Sequence, residues 1–276
     1  MKPGIAPRLA ACIAASLLLA GCARAGGEKM AACQAATDAD TAIRACSAVI
    51  DAGTAAPKEM AYAHMFRGNA LNNKRQPGEG LKDLDEAVRL LPGDASLLAG
   101  RGVMRAMNGD ADGGIHDLDE ALRLDPKNTL ALGNRAIFHS QRGEFRDSLA
   151  LIDRALALDD KQPQVWGERC WVLAVLNERL PEAVAACDKA AALRPDDANN
   201  YNSRGFAYFR MGKYAESIAD YDRSLAGDAS VASSWLVRGL AKRAAGVAGA
   251  QEDIDKGKAM DPKVAARFAG YGVDTN

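Results

Sequence analysis

The sequence predicts an all-α chain built as a stack of antiparallel helix hairpins, and three observations predict it. Arg67, Arg101, Arg135, Arg169, Arg204 and Arg238 recur with gaps of 34, 34, 34, 35 and 34 residues. Asp85, Asp119, Asp153, Asp188, Asp222 and Asp255 keep nearly the same beat. Within each period, apolar residues return every three or four positions on either side of a turn signal. A fixed period of this length marks an array in which one supersecondary unit stacks on the next.

Taken in order, residues 1–21 read MKPGIAPRLAACIAASLLLAG, with Lys2 and Arg8 ahead of an apolar run from Ala10 to Ala20. That run is shorter than the ~20 residues of a membrane-spanning helix, and it reads as a secretory signal that belongs outside the fold. Leu19-Ala20-Gly21-Cys22 follows. It resembles the lipobox of bacterial lipoproteins. The resemblance implies cleavage before Cys22 and acylation of that cysteine on sulfur and on the freed amine. Two or more chains give stable anchoring where one is marginal. Ala23, rather than aspartate, follows the cysteine, and by the same resemblance this favours the outer membrane. Residues 22–28 are then a lipidated cysteine and a short tether, reaching only ~20 Å when extended.

Residues 29–60 hold a divergent helical hairpin, centred on MAACQAATDADTAIRACSAVID, and residues 61–262 hold six full repeats. The second repeat shows the logic. ASLLAGRGVMRAMNGD supplies a first helix, and Asn108-Gly109-Asp110 breaks it. ADGGIHDLDEALRLDP supplies a second, with Ile115, Leu118, Ala121, Leu122 and Leu124 on one face. The closing Asp-Pro stops it, because proline disfavours helical geometry in the residue before it. The one-residue insertion of repeat four falls in its turn, around Asn177 to Pro181, and the deletion of repeat six near Gly246 to Gly249. Residues 263–276 form a C-terminal cap or tail.

The unit resembles the tetratricopeptide repeat (TPR). That family places a small residue at position eight, here Gly68, Gly102, Ala136, Cys170, Gly205 and Gly239. It places a bulky one at position four, here His64, Leu98, Leu132, Trp166, Tyr201 and Trp235. A small residue stands near position twenty, here Gly80, Gly114, Ser148, Ala183, Ser217 and Ala250. Proline near position thirty-two is met by Pro92, Pro126, Pro195 and Pro262, but Asp160 and Ala229 depart from it. The resemblance implies a right-handed superhelical solenoid of about six full repeats plus end caps.

Formal net charge is −1, from 35 basic and 36 acidic residues. No basic block marks a nucleic-acid surface. Of six cysteines, Cys12 leaves with the signal and Cys22 is the acylated one. The remaining Cys33, Cys46, Cys170 and Cys187 allow three pairings. Residues equidistant from a hairpin turn face each other, which favours Cys33 with Cys46 and Cys170 with Cys187 as disulfides. Buried free thiols are the next alternative. C-x-x-C spacing and paired zinc-type spacings are absent.

Each arginine of the ladder is matched by an aspartate of its own unit, which points to an ion pair within or between repeats rather than to a ladder for an anionic ligand. His64, His116 and His139 stand at unrelated repeat positions, so no metal or catalytic cluster is expected. His64 and His139 fall on packing positions.

In the TPR family the first helices line a groove. Carried over, position nine gives Asn69, Val103, Ile137, Trp171, Phe206 and Leu240, and position twelve adds Phe209. These are the candidate peptide-binding residues. Met65 and Gly100 stand where a carboxylate clamp has lysine and asparagine, so the composition suits an amphipathic helix or extended segment with apolar anchors. Two alternatives remain open: these residues pack against neighbouring repeats, or the segment Val264 to Tyr271 folds back into the groove.

The expected function is a non-catalytic protein–protein scaffold, lipid-anchored on the periplasmic face of the bacterial outer membrane. Its partner is an envelope-assembly, pilus, secretion or cell-wall protein. The alternative is a chaperone-like holdase or structural envelope protein without one fixed partner. No nucleophile–base pair, metal spacing or phosphate loop suggests an enzyme or a cofactor.

Overall fold

The computed structural model describes residues 27–275. Residues 1–26, with the signal segment and Cys22, lie outside the described residues. Among the described residues the regular structure is helical throughout, and no helix is long and apolar enough to cross a membrane. The chain divides into two compact units, up to Ala131 and from Leu132.

The first unit opens with α1, residues 27–34, so the last two residues of the expected tether are already helical. Next come α2 (Ala39–Ala52), α3 (Pro57–Asn73), α4 (Pro77–Leu90), α5 (Ala95–Met107) and α6 (Ala111–Leu124). Pairs α3/α4 and α5/α6 pack as hairpins, and α4 packs on α5. The boundaries follow local chemistry. The Asp94 carboxylate caps α5 by accepting from the backbone N–H of Ser96 and Leu97. Asp110 caps α6 through Gly113, and Gly109 takes the left-handed turn between them, at φ 90°. The divergent hairpin is closed by the Cys33–Cys46 disulfide, which lies in a small core with Met30, Val49 and Ala63.

The second unit contains the remainder of α7 (Thr129–Gln141), then α8 (Phe145–Leu158), α9 (Pro163–Leu176), α10 (Leu180–Leu193), α11 (Ala198–Arg210), α12 (Tyr214–Gly227), α13 (Ala232–Ala245), α14 (Ala250–Met260) and α15 (Val264–Gly270). Helices α9/α10, α11/α12 and α13/α14 form hairpins, and α15 rests on α13 and α14. The insertion of repeat four is taken up at its turn, where Asn177 and Arg179 both adopt positive φ. The second disulfide, Cys170–Cys187, joins α9 to α10.

Small residues set how closely the hairpins cross. A Cβ placed on Gly68 would lie 2.8 Å from the carbonyl oxygen of Gly80, and one on Gly80 would lie 2.6 Å from that of Gly68. Gly102 and Gly114 repeat the arrangement at 2.8 and 2.7 Å. The bulky residue at position four has a second use. Trp166 Nε1 donates to the Asp160 carbonyl, Tyr201 Oη to that of Pro195, and Trp235 Nε1 to that of Ala229. The acceptor is the backbone of position thirty-two. Asp160 and Ala229 can therefore replace proline there without loss of the contact.

The arginine ladder is structural, with one correction to the expected pairing. The aspartate of the same unit that matches the arginine period is not its main partner. Arg101 instead grips Asp117 with both Nε and Nη2, at 2.7 and 2.8 Å, while its Nη1 reaches back to Asp85 of the preceding repeat at 3.3 Å. Arg204 holds Asp220 at 2.7 Å twice and Asp188 at 2.6 Å. Arg238 holds Asp253 at 2.8 Å twice and Asp222 at 2.6 Å. The periodic aspartates thus serve the following repeat, and a second set two residues earlier serves the same one. The second set is buried: Asp83, Asp117, Asp220 and Asp253 are all under a tenth exposed. His64 joins this system, with Nδ1 at 2.8 Å from Asp83. In repeats three and four Leu151 and Ala186 occupy the place of the buried aspartate, and Arg169 contacts Asp153 and Glu182 instead.

Candidate interaction site

The expected groove residues fall in both units. Asn69 on α3 is exposed and Val103 on α5 is half-buried. The other five belong to the second unit, where the fold brings them into one neighbourhood. Trp171 on α9 lies 5.5 Å, centroid to centroid, from Phe206 on α11. Phe206 stacks at 6.4 Å on Phe209, and Leu240 of α13 lies in the same core cluster.

Phe206 and Leu240 are not surface anchors in this conformation, being 0% and 2% exposed. Neighbouring repeats and the C-terminal segment form one core cluster with them. Phe268 of α15 meets Phe206 edge-on at 5.2 Å and Trp171 at 6.3 Å. Tyr271 meets Trp171 at 5.8 Å and Phe145 at 5.8 Å. Edge-to-face packing of this kind matches the ring quadrupoles. Arg210 ties the segment down. Its guanidinium sits over the Phe206 ring and donates to the carbonyls of Ala174, Val175, Tyr271 and Gly272. Desolvation lowers the pKa of this guanidinium. Both alternatives the sequence leaves open are realised: Trp171 and Phe206 pack across neighbouring repeats, and Val264 to Tyr271 folds back to cap the stack and cover the aromatic floor.

Beside this cover a cavity of about 460 Å³ remains, lined by Ile137, Trp171 and Tyr271 together with Glu168, Asn199 and Asn202. Its wall is mixed, with aromatic faces on one side and amides on another. Asn202 is held by its Nδ2, which donates to Ser234 Oγ at 2.6 Å. Desolvation pushes the pKa of the Glu168 carboxyl up, and the Ser140 hydroxyl opposes this. Sequence reasoning missed Glu168, since a single glutamate on an amphipathic helix looks like part of a solvated face.

Away from the cavity, the fold assembles a group the sequence did not suggest. His139 Nδ1 lies 2.5 Å from Glu144 Oε2, and Asp147 offers a third ligand atom within 4.8 Å. Glu144 and Asp147 are exposed. The pair spans the turn from α7 to α8, and Asp147 sits in the first turn of α8, where a negative charge favours the helix dipole.

The repeat geometry agrees with what sequence comparison finds. Models of the tetratricopeptide repeat match residues 67–129, 106–167 and 198–226. The chain is a tetratricopeptide-repeat protein. Among curated proteins no sequence matches it. Solved TPR structures resemble it in fold. A tetratricopeptide repeat protein from Parabacteroides merdae is 18% identical with a TM-score of 0.54, covering 86% of this chain and 88% of that one. PilF of Pseudomonas aeruginosa is 16% identical with a TM-score of 0.56, covering 78% and 94%. PilW, described as a widely conserved type IV pilus biogenesis factor, is 14% identical with a TM-score of 0.58, covering 76% and 94%. TPR arrays are in general protein-interaction scaffolds rather than enzymes, and nothing among the described residues points to catalysis.

Proposed function

We propose that this TPR protein is a non-catalytic adaptor, held by lipid at Cys22 on the periplasmic face of the bacterial outer membrane, that binds a segment of an envelope protein on the aromatic face of its second unit. The observation that carries the binding site is the seating of α15 on that face. Phe268 and Tyr271 fill it as the anchors of a partner helix would, so its shape and chemistry suit an amphipathic segment with aromatic anchors. The Leu19-Ala20-Gly21-Cys22 motif supports the anchor, and two disulfides suit an oxidising compartment. The fold shared with PilF and PilW makes pilus or envelope assembly a reasonable context.

In-cell photo-crosslinking tests this reading. A photoreactive residue replaces Ile137 or Asn199, which line the cavity, with exposed Arg123 as control. One discrete adduct specific to the cavity positions supports an adaptor, and mass spectrometry names the partner. A smear of many proteins favours a holdase. No adduct above the control overturns the binding face. Labelling with a palmitate analogue, lost on Cys22→Ser, tests the anchor.

A further inference from the structure

We infer that the cavity beside Glu168 receives a basic side chain, a lysine or arginine, of the polypeptide bound on this face. This rests on the binding face proposed above and adds the chemistry of one ligand residue.

The argument is one of charge and enclosure. The two other charged groups that line the cavity, Asp197 and Arg267, are already engaged. The Asp197 carboxylate caps α11 through the Asn199 backbone N–H at 3.0 Å and lies 3.8 Å from Arg194. Arg267 is paired with Asp261 at 2.8 Å. Glu168, half-buried at the cavity wall, has the Ser140 hydroxyl for a partner, and no cation contributes to its pKa shift. A half-buried carboxylate with one neutral partner gains from a cation, because charge is costly away from water.

The surroundings point the same way. Trp171 stands one helical turn from Glu168 on α9, and Tyr271 presents a second ring. The negative face of an aromatic ring attracts a cation, more strongly where water is excluded. The amide oxygens of Asn199 and Asn202 add acceptors for N–H donors. The cavity volume falls within the range of ordinary ligand sites, ample for one long side chain. An anionic group, such as the terminal carboxylate of a peptide, would meet Glu168 with like charge.

The test uses N-acetyl-lysine amide and N-acetyl-arginine amide as probes, with N-acetyl-norleucine amide as the uncharged counterpart. Each is titrated into the full chain while the Trp171 indole N–H is followed by NMR. The expected result is a saturable shift with the two cationic probes, at least about tenfold weaker with the norleucine probe. Glu168→Gln, with an unchanged circular-dichroism melt, is expected to abolish the preference. Equal response to charged and uncharged probes, no response to the cationic ones, or full retention of the preference in Glu168→Gln overturns the inference. If Glu168→Gln does not fold, lysine against norleucine on the native chain decides alone. The two readings fail separately: a discrete crosslinked partner with no cation preference removes only this inference, whereas a cation preference without any crosslinked partner removes only the adaptor.

Discussion

Arg204 spans two repeats: Nη1 donates to Asp188 of the preceding hairpin at 2.6 Å while Nε and Nη2 clasp Asp220 of its own. The two aspartates differ in exposure, with side chains 56% and 6% accessible. The energetic consequences differ accordingly. Arg204→Ala leaves Asp220 buried without its partner and is expected to destabilise by ~3–5 kcal/mol. Asp188→Ala removes an exposed contact and is expected to cost ~0–1 kcal/mol. Urea unfolding of the two variants measures the contrast, and equal losses would show that the bond between repeats matters as much as the buried pair.

The glycine crossings make a steric prediction. Gly102→Ala puts a methyl group 2.8 Å from the Gly114 carbonyl oxygen and 3.1 Å from Leu118 Cγ. Helices α5 and α6 must part, at an expected ~1–3 kcal/mol. Gly78→Ala, at a position with nothing within 4 Å, is expected to be neutral or stabilising by up to ~1 kcal/mol. Thermal melts of the pair distinguish a packing constraint from a general intolerance of alanine.

Acid should weaken the buried pairs in a defined window. Burial acts to raise the Asp83 carboxyl, but hydrogen bonds from Arg67 and His64 outweigh it and hold the pKa below the usual 3.8. Asp253 is lowered in the same way, burial being outweighed by Arg238 and Lys242. A depressed folded-state pKa gives stability that is complete above the unfolded value and drains as pH falls through the folded one. Urea midpoints are therefore expected to fall between ~pH 5 and ~pH 2, with a shallower fall in Asp83→Asn. An unchanged slope in that variant would exclude Asp83 as a contributor.

Phe268→Ala should expose the aromatic floor. Its ring shields Phe206 and Trp171, and truncating a buried phenylalanine costs ~3–5 kcal/mol where the site cannot collapse. The expected readouts are a red shift in tryptophan emission and stronger photo-crosslinking from Ile137. An unshifted emission would mean that Tyr271 alone maintains the cover.

The repeat was legible because it rests on backbone sterics and helical period: Gly68 and Gly80 must be small to cross, and Asn108-Gly109-Asp110 must turn. The pairing of the arginines was only half legible. Asp117 and Asp119 lie two apart on one helix and therefore face different neighbours, so the more regular series was not the buried one. The disulfides could be placed because Cys170 and Cys187 sit on facing sides of one turn. The fate of Val264 to Tyr271 was not legible, since an apolar face on a terminal helix suits a cap and a fold-back equally until its neighbours are known. Glu168 shows the same limit, for its partner Ser140 lies on another helix of the array.

Among the six full repeats, repeat four is the one bridged by a disulfide: Cys170 stands at the crossing position, Ala186 where four repeats have the buried aspartate, and Cys170–Cys187 joins the same two helices. In the other five full repeats the hairpins are fastened by non-covalent contacts that open and re-form. Here the fastening is covalent and needs the oxidation of two thiols. A chain that escaped oxidation would lack that covalent link in the helix that carries Trp171, and would hold the hairpin by packing alone.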